Sequence, residues 1–178
     1  MLIPRKKTPD LDLPLVGDGR FTLSGETAER GTLVVFYRGL HCPICKGYLQ
    51  ELDRHTPEFA ERGIGTVAIT TDGEERAAEM AERVGGSHLR IAYDLPLAQA
   101  KDWGLWFSRG SGKTSAGVEE PELFPEPGLF LVNADRTLYF ASVQTMPFVR
   151  PGFADIVKAL DFVIARNYPA RGEYAGEV

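Results

Sequence analysis

Cys42 and Cys45 are the only two cysteines of the chain, and they stand three positions apart. That spacing suits dithiol chemistry. The reactive form of cysteine is the thiolate, and an ordinary thiol, with a pKa of about 8.5, is mostly protonated at neutral pH. Two sulfurs three positions apart on a helix share one face and can bond to each other. One can then attack a sulfur or a peroxide oxygen, and its neighbour can resolve the product as a disulfide. As a structural staple the pair would do little, because it closes almost no loop. A disulfide framework would need more cysteines and longer loops between them.

The elements that must position the two thiols are legible nearby. Thr32-Leu33-Val34-Val35-Phe36-Tyr37 is a continuous β-branched and aromatic run, as expected of a strand buried on both faces. Arg38-Gly39-Leu40-His41 reads as a loop, and Pro43 suits the first position of a helix, where a missing N–H costs nothing. Cys42 then becomes the N-cap, facing first-turn N–H groups and the positive helix end, both of which lower a thiol pKa. The cap position is normally the more exposed, so Cys42 reads as the attacking sulfur and Cys45 as the resolving one. Arg38 and His41 flank the pair and can stabilise a thiolate. His41 can also donate a proton to a leaving group near neutral pH. Other readings compete: Arg38 as a solvated loop charge, the cysteines with His41 or His55 as part of a zinc site short of ligands, or inert core thiols. Pro43 argues against inert thiols, because it fixes both sulfurs at a helix mouth.

Further along, the order of elements repeats. Leu49, Leu52 and Phe59 recur at near-helical spacing up to a stop at Gly63, and Thr66–Thr70 is a second buried strand. Asp72 can cap a helix through about Arg83. A short strand over Leu89–Tyr93 and a helix over Leu97–Trp103 follow. Residues 107–126 break the rhythm with Gly, Ser, Pro and charge and read as a long loop or insertion. Leu129–Val132 and Thr137–Phe140 form a hairpin, and an amphipathic helix spans Phe153–Arg166 with Ile156, Leu160 and Val163 on one face. Residues 1–31 read as an extended arm or small hairpin, and 168–178 as a mobile tail. This is one α/β domain over 1–178, with a mixed sheet of parallel strands and an antiparallel edge hairpin, flanked by helices.

Composition excludes several function classes. A net charge of −5 over 178 residues offers no broad basic surface for nucleic acid or anionic lipid. No run approaches the roughly 18 apolar residues that a membrane span needs. The N-terminus places Arg5-Lys6-Lys7 after its apolar residues, the reverse of a secretory signal, so the expected address is the cytoplasm. Gly110-Ser111-Gly112-Lys113-Thr114 has part of a phosphate-loop pattern, but Phe107 occupies the position of its first glycine. Trp103 and Trp106 read as core or dimer contacts, and His88 as structural.

Over residues 8–142 the chain resembles the peroxiredoxin-like (alkyl hydroperoxide reductase/thiol-specific antioxidant) branch of the thioredoxin superfamily. The matching pieces are Thr8-Pro9-Asp10-Leu11-Asp12-Leu13-Pro14, Val34-Val35-Phe36-Tyr37-Arg38 with the cysteine pair, Tyr93-Asp94-Leu95-Pro96, and Gly128-Leu129-Phe130-Leu131-Val132-Asn133. The resemblance implies a thioredoxin-like fold with an N-terminal extension. It places Cys45 where the family keeps its peroxide-attacking cysteine, Cys42 where it keeps threonine or serine, and Pro127 where it keeps arginine. In the thioredoxin register, Cys42 and Cys45 become the Cys-x-x-Cys pair, and Pro127 falls where a cis-proline faces the cysteines. Either isomer is open at Pro127, since cis X–Pro bonds make up only about 5–6% of the total. The expected function is a thiol-based oxidoreductase without metal or organic cofactor, reducing hydroperoxides or protein disulfides and recharged by a thioredoxin- or glutathione-type thiol. The resemblance also suggests a homodimer. The competing class is a redox sensor or protein-binding module without turnover, with 107–126 and the flanking Trp106 and Phe107 contacting a partner.

Overall fold

The computed structural model describes residues 2–177. Two short strands, β1 (Asp12–Pro14) and β2 (Arg20–Thr22), pair antiparallel as an N-terminal hairpin. β3 (Gly31–Phe36) leads through a loop to α1 (Pro43–Glu61), and β4 (Ile64–Ile69) to α2 (Glu74–Val84). β5 (Ile91–Ala92) and α3 (Leu97–Asp102) follow, then β6 (Phe107–Arg109) and β7 (Leu123–Pro125). β8 (Gly128–Asn133), β9 (Leu138–Val143) and α4 (Phe153–Arg166) complete the order.

The main sheet has five strands in the order β5-β4-β3-β8-β9. β3, β4 and β5 run parallel, while β8 is antiparallel to both β3 and β9. β3 is central and wholly buried, which accounts for its unbroken apolar run. Its side chains alternate between two cores. Leu33, Val35 and Tyr37 pack with both cysteines, Leu49, Leu52 and Phe59 of α1, and Phe153 and Leu160 of α4. Val34 and Phe36 pack on the other face with Trp103, Phe130 and Phe21. The thiols therefore belong to one core only.

Three segments depart from the sequence reading. α2 starts one residue later than expected: Gly73, not Asp72, is its cap. The Asp72 carboxylate is instead turned back to accept the Leu40 N–H at 2.7 Å. Residues 107–126, expected as a long loop or insertion, contain two strands: β6 and β7 pair antiparallel and fold the stretch into a flap. Its apolar Phe124 is buried against the loop that precedes the cysteines, which gives the flap something to close on. The start of the tail is docked: Ala170 is buried, Arg5 Nε donates to its carbonyl at 2.9 Å, and Tyr139 donates to the Tyr168 carbonyl at 2.9 Å. Among the described residues no helix is long and apolar enough to cross a membrane.

Candidate active site

The loop carrying the thiols is fastened before the helix begins. Tyr37 N–H donates to the Ile69 carbonyl at 3.0 Å, extending β3 by one rung. Gly39 then takes φ +133° directly beneath the Asp72 carboxylate, where a Cβ would lie 2.7 Å from Oδ2. Only glycine meets both demands. With the Leu40 N–H on the same carboxylate, the loop is pinned to the end of β4. Cys42 N–H bonds the Gly39 carbonyl at 3.1 Å and Cys42 takes the extended N-cap conformation, with Pro43 following in the first turn. Cys45 N–H bonds the Cys42 carbonyl at 3.1 Å, so the first turn starts at the first cysteine.

Both sulfurs are free thiols, and both residues are buried, at 1% exposure for Cys42 and 0% for Cys45. The expected difference in exposure between them is therefore absent. Charge separates them instead. A hydrogen bond from the Cys45 thiol, and then the Arg150 and Arg38 guanidinium groups, outweigh burial and pull Cys42 down to about 5. Burial first, then the neighbouring Cys42 sulfur, pushes Cys45 well above the usual thiol range.

Arg150 is the residue that sequence reasoning missed. It comes from the segment between β9 and α4, and its Nη2 reaches both sulfurs, at 3.3 Å from Cys45 Sγ and 3.7 Å from Cys42 Sγ. Burial works against its charge, and the sulfurs more than restore it. Its Nε donates to the Pro147 carbonyl at 2.9 Å, while its Nη1 has no partner among the described residues. The guanidinium lies 5.0 Å over the ring of Tyr48. The resemblance puts the family's arginine at the position of Pro127; here the guanidinium arrives from a different element. In sequence Arg150 is a lone cation between Val149 and Pro151, more than 100 positions from the thiols it meets, and no local pattern marks it.

The residues expected to assist divide sharply. Arg38 is not a solvated charge: its side chain is 15% exposed, lies 3.3 Å from Glu126 and 3.5 Å from Glu120, and stacks 4.7 Å over Phe124. Its charge reaches Cys42 as the weaker of the two guanidinium groups. His41 departs from its expected role as a proton donor. It is fully buried, its ring packs 4.6 Å from Phe124, and neither ring nitrogen has a hydrogen-bond partner. Burial, helped by Arg38, lowers it to about 4, so it is neutral at neutral pH and lacks the imidazolium proton that a general acid would give. Pro43 is exposed at the helix mouth. Pro127 is buried and trans, there being no cis peptide bond among the described residues, and its carbonyl accepts the Gln144 N–H at 3.0 Å. It thus holds the foot of the segment that carries Arg150. Among the described residues no three His, Cys, Asp or Glu side chains come together as a metal site.

The arrangement can hold one thiolate beside a second, protonated thiol under a fixed cation. Comparison with known proteins agrees with that chemistry. The profile of the AhpC/TSA family matches residues 4–141. Among curated proteins no sequence match reaches significance. Similar solved structures include peroxidoxin BcpB of Mycobacterium tuberculosis, with 21% identity, TM-score 0.69, and 93% of this chain and 98% of that one covered. The reduced 2-Cys peroxiredoxin of Plasmodium vivax has 14% identity and TM-score 0.74, with 100% and 92% covered. AhpC of Enterococcus faecalis has 15% identity and TM-score 0.72, with 94% and 97% covered. At such identities these likenesses speak to the fold, which is the thioredoxin-like fold of peroxiredoxins. The family profile spans most of the chain and includes the dithiol, and on that ground the protein belongs to the AhpC/TSA family of thiol-dependent oxidoreductases.

Proposed function

We propose that this oxidoreductase reduces hydroperoxides with Cys42 as the attacking thiolate and Cys45 as the resolving thiol. The observation that carries the reading is the single Arg150 nitrogen shared by both sulfurs, with Cys42 the one whose ionisation is favoured. In the first step the Cys42 thiolate attacks the distal peroxide oxygen and the O–O bond breaks. Cys42 becomes a sulfenic acid, and the departing oxygen takes a proton to leave as alcohol or water. The unpartnered Arg150 Nη1 is suited to donate a hydrogen bond to the oxygen on which negative charge develops. Cys45 sulfur then attacks the sulfenic sulfur, forming the Cys42–Cys45 disulfide and releasing water. An external dithiol or glutathione-type thiol supplies two electrons to restore the pair. A protein disulfide would have to reach sulfurs that are almost wholly covered, which favours the smaller substrate.

The family register instead points to Cys45 as the peroxide-attacking cysteine. Its thiol pKa, pushed up by burial and by the neighbouring Cys42 sulfur, weighs against that assignment. Trapping with dimedone after one equivalent of hydrogen peroxide separates the two. Cys45→Ser is expected to accumulate a trapped sulfenic acid at Cys42, and Cys42→Ser to give none; the reverse pattern overturns the assignment. Turnover with a thioredoxin-type reductant that vanishes in Cys42→Ser distinguishes the enzyme from a sensor oxidised once. A free dithiol suits a reducing compartment such as the cytoplasm. A homodimer belongs to the same proposal, supported by the edge of β9 beyond Leu138, where the pairing with residues 5–7 has ended and Phe140 is exposed.

A further inference from the structure

Arg150 can act on the sulfurs only if something holds a long, mobile side chain in place, and the backbone around it is irregular. Its own segment, residues 144–152, lies between β9 and α4 and exposes Met146, Phe148 and Val149 to solvent. The fixed point is on α1. Tyr48 lies one turn beyond Cys45, on the same helix face as the sulfurs. Its ring lies beneath the guanidinium at 5.0 Å. Its hydroxyl donates to the carbonyl of Pro151 at 2.8 Å, the residue next to Arg150. The ring plane is itself set by Phe153, whose centroid is 4.5 Å away. Burial raises the phenol, so the hydroxyl keeps the proton it donates.

We propose that Tyr48 is a positioning residue, which fixes Arg150 against the two sulfurs through its ring face and through the hydroxyl tether to Pro151. A planar cation over an aromatic face is attracted by the ring's negative face. The tether removes the backbone freedom that would otherwise let the guanidinium swing away. One residue thus grips Arg150 at both ends, by side chain and by backbone. Tyr48 touches no reacting atom; it acts through Arg150. The charged and titratable groups that share this surrounding are Cys42 at the N-cap of α1, Cys45 and Glu51 within it, Arg38 of the preceding loop, and Tyr37 just after β3. The proposal rests on the reading of Cys42 as a thiolate stabilised by Arg150.

The test is the pH profile of iodoacetamide alkylation in the reduced full-length protein, which reports the apparent pKa of the reactive thiol. Tyr48→Met, of similar volume but without ring or hydroxyl, is expected to raise that pKa by about one unit, in the range a displaced charge produces. Tyr48→Phe keeps the ring and is expected to shift it by less than half as much. In an Arg150→Met background the Tyr48→Met change should add nothing. Tyr48→Leu carries the same expectation should Tyr48→Met not fold. A wild-type profile in Tyr48→Met, alongside a shifted one in Arg150→Met, overturns the role of Tyr48 alone. A Tyr48→Met shift of the same size in the Arg150→Met background also overturns it, since the tyrosine would then act by another route. An unshifted Arg150→Met profile, or a wild type without a low-pKa thiol, overturns the reading of the site and this proposal with it.

Discussion

Two sulfurs one turn apart carry opposite protonation preferences, and the difference lies in what each faces. The Cys45 thiol, Arg150 and Arg38 all favour charge on Cys42, while at Cys45 burial and the neighbouring Cys42 sulfur outweigh the same Arg150. Cys42 ionises as pH rises through about 5, far below an unperturbed thiol. Alkylation of Cys42 is therefore expected to proceed at pH 6–7 and to fade only as pH falls toward about 5, as a pH series of labelling rates will show. Arg150→Met is expected to raise the apparent pKa by about 1–2 units. It should also slow the peroxide reaction about tenfold or more in stopped flow, because a preorganised donor is lost where charge develops. His41 makes a separate prediction. Its pKa is depressed to about 4, below that of an unfolded histidine. Between those values only the unfolded chain takes up the proton, so the stabilising contribution is full above about pH 6.5 and is lost as pH falls toward 4. Urea titrations across that window should show a loss of up to about 3 kcal/mol that His41→Leu does not share.

At the scale of elements, the site is a meeting of three pieces that are far apart in the chain. The strand–loop–helix junction holds the sulfurs, the segment before α4 brings Arg150, and the β6–β7 flap holds Arg38 with Glu120, Phe124 and Glu126. The flap is tied at several points. Thr114 donates to the His41 carbonyl at 2.6 Å, Arg76 donates to the Glu119 carbonyl at 2.7 Å, and Ser108 donates to Glu126 at 2.6 Å. Phe124 is the apolar peg, buried between Arg38 and His41. Phe124→Ala is expected to cost about 3–5 kcal/mol in urea unfolding, the range for a large aromatic removed from a packed site. Amide exchange should quicken over 107–126 and over the Arg38–His41 loop together. Gly39→Ala is expected to cost at least about 1–3 kcal/mol, because it strains a positive φ and drives a methyl into the Asp72 carboxylate. Its melting temperature checks this.

Across the whole molecule, the sheet separates two cores that serve different ends. The face with α1 and α4 carries the thiols, and the face with α3 and the N-terminal hairpin carries Trp103, Phe36 and Phe130 in mutual aromatic contact. Trp103 is fully buried there. Trp103→Ala is expected to lower stability by about 3–5 kcal/mol while leaving the alkylation pH profile unchanged at temperatures where the variant stays folded. A shift in that profile would mean that the two cores are coupled through the sheet.

The chain's local order was enough for much of this. The apolar run of β3, the proline after Cys42, and the three-residue step to Cys45 specify a dithiol at a helix mouth, since helix initiation and side-chain spacing are short-range properties. The last helix, Phe153–Arg166, is equally local, a periodic apolar face between a glycine and an αL asparagine. The turn of Asp72 away from its helix was not legible, because its partner Leu40 lies across the sheet end. Nor was the pairing of β6 with β7, whose polar, glycine-rich connection hides the two short strands. Arg150 and Tyr48 were the largest gap. A cation more than 100 residues from the sulfurs is brought to them only when α1 and α4 pack on one face of the sheet, and that packing sets the positive charge that both sulfurs face.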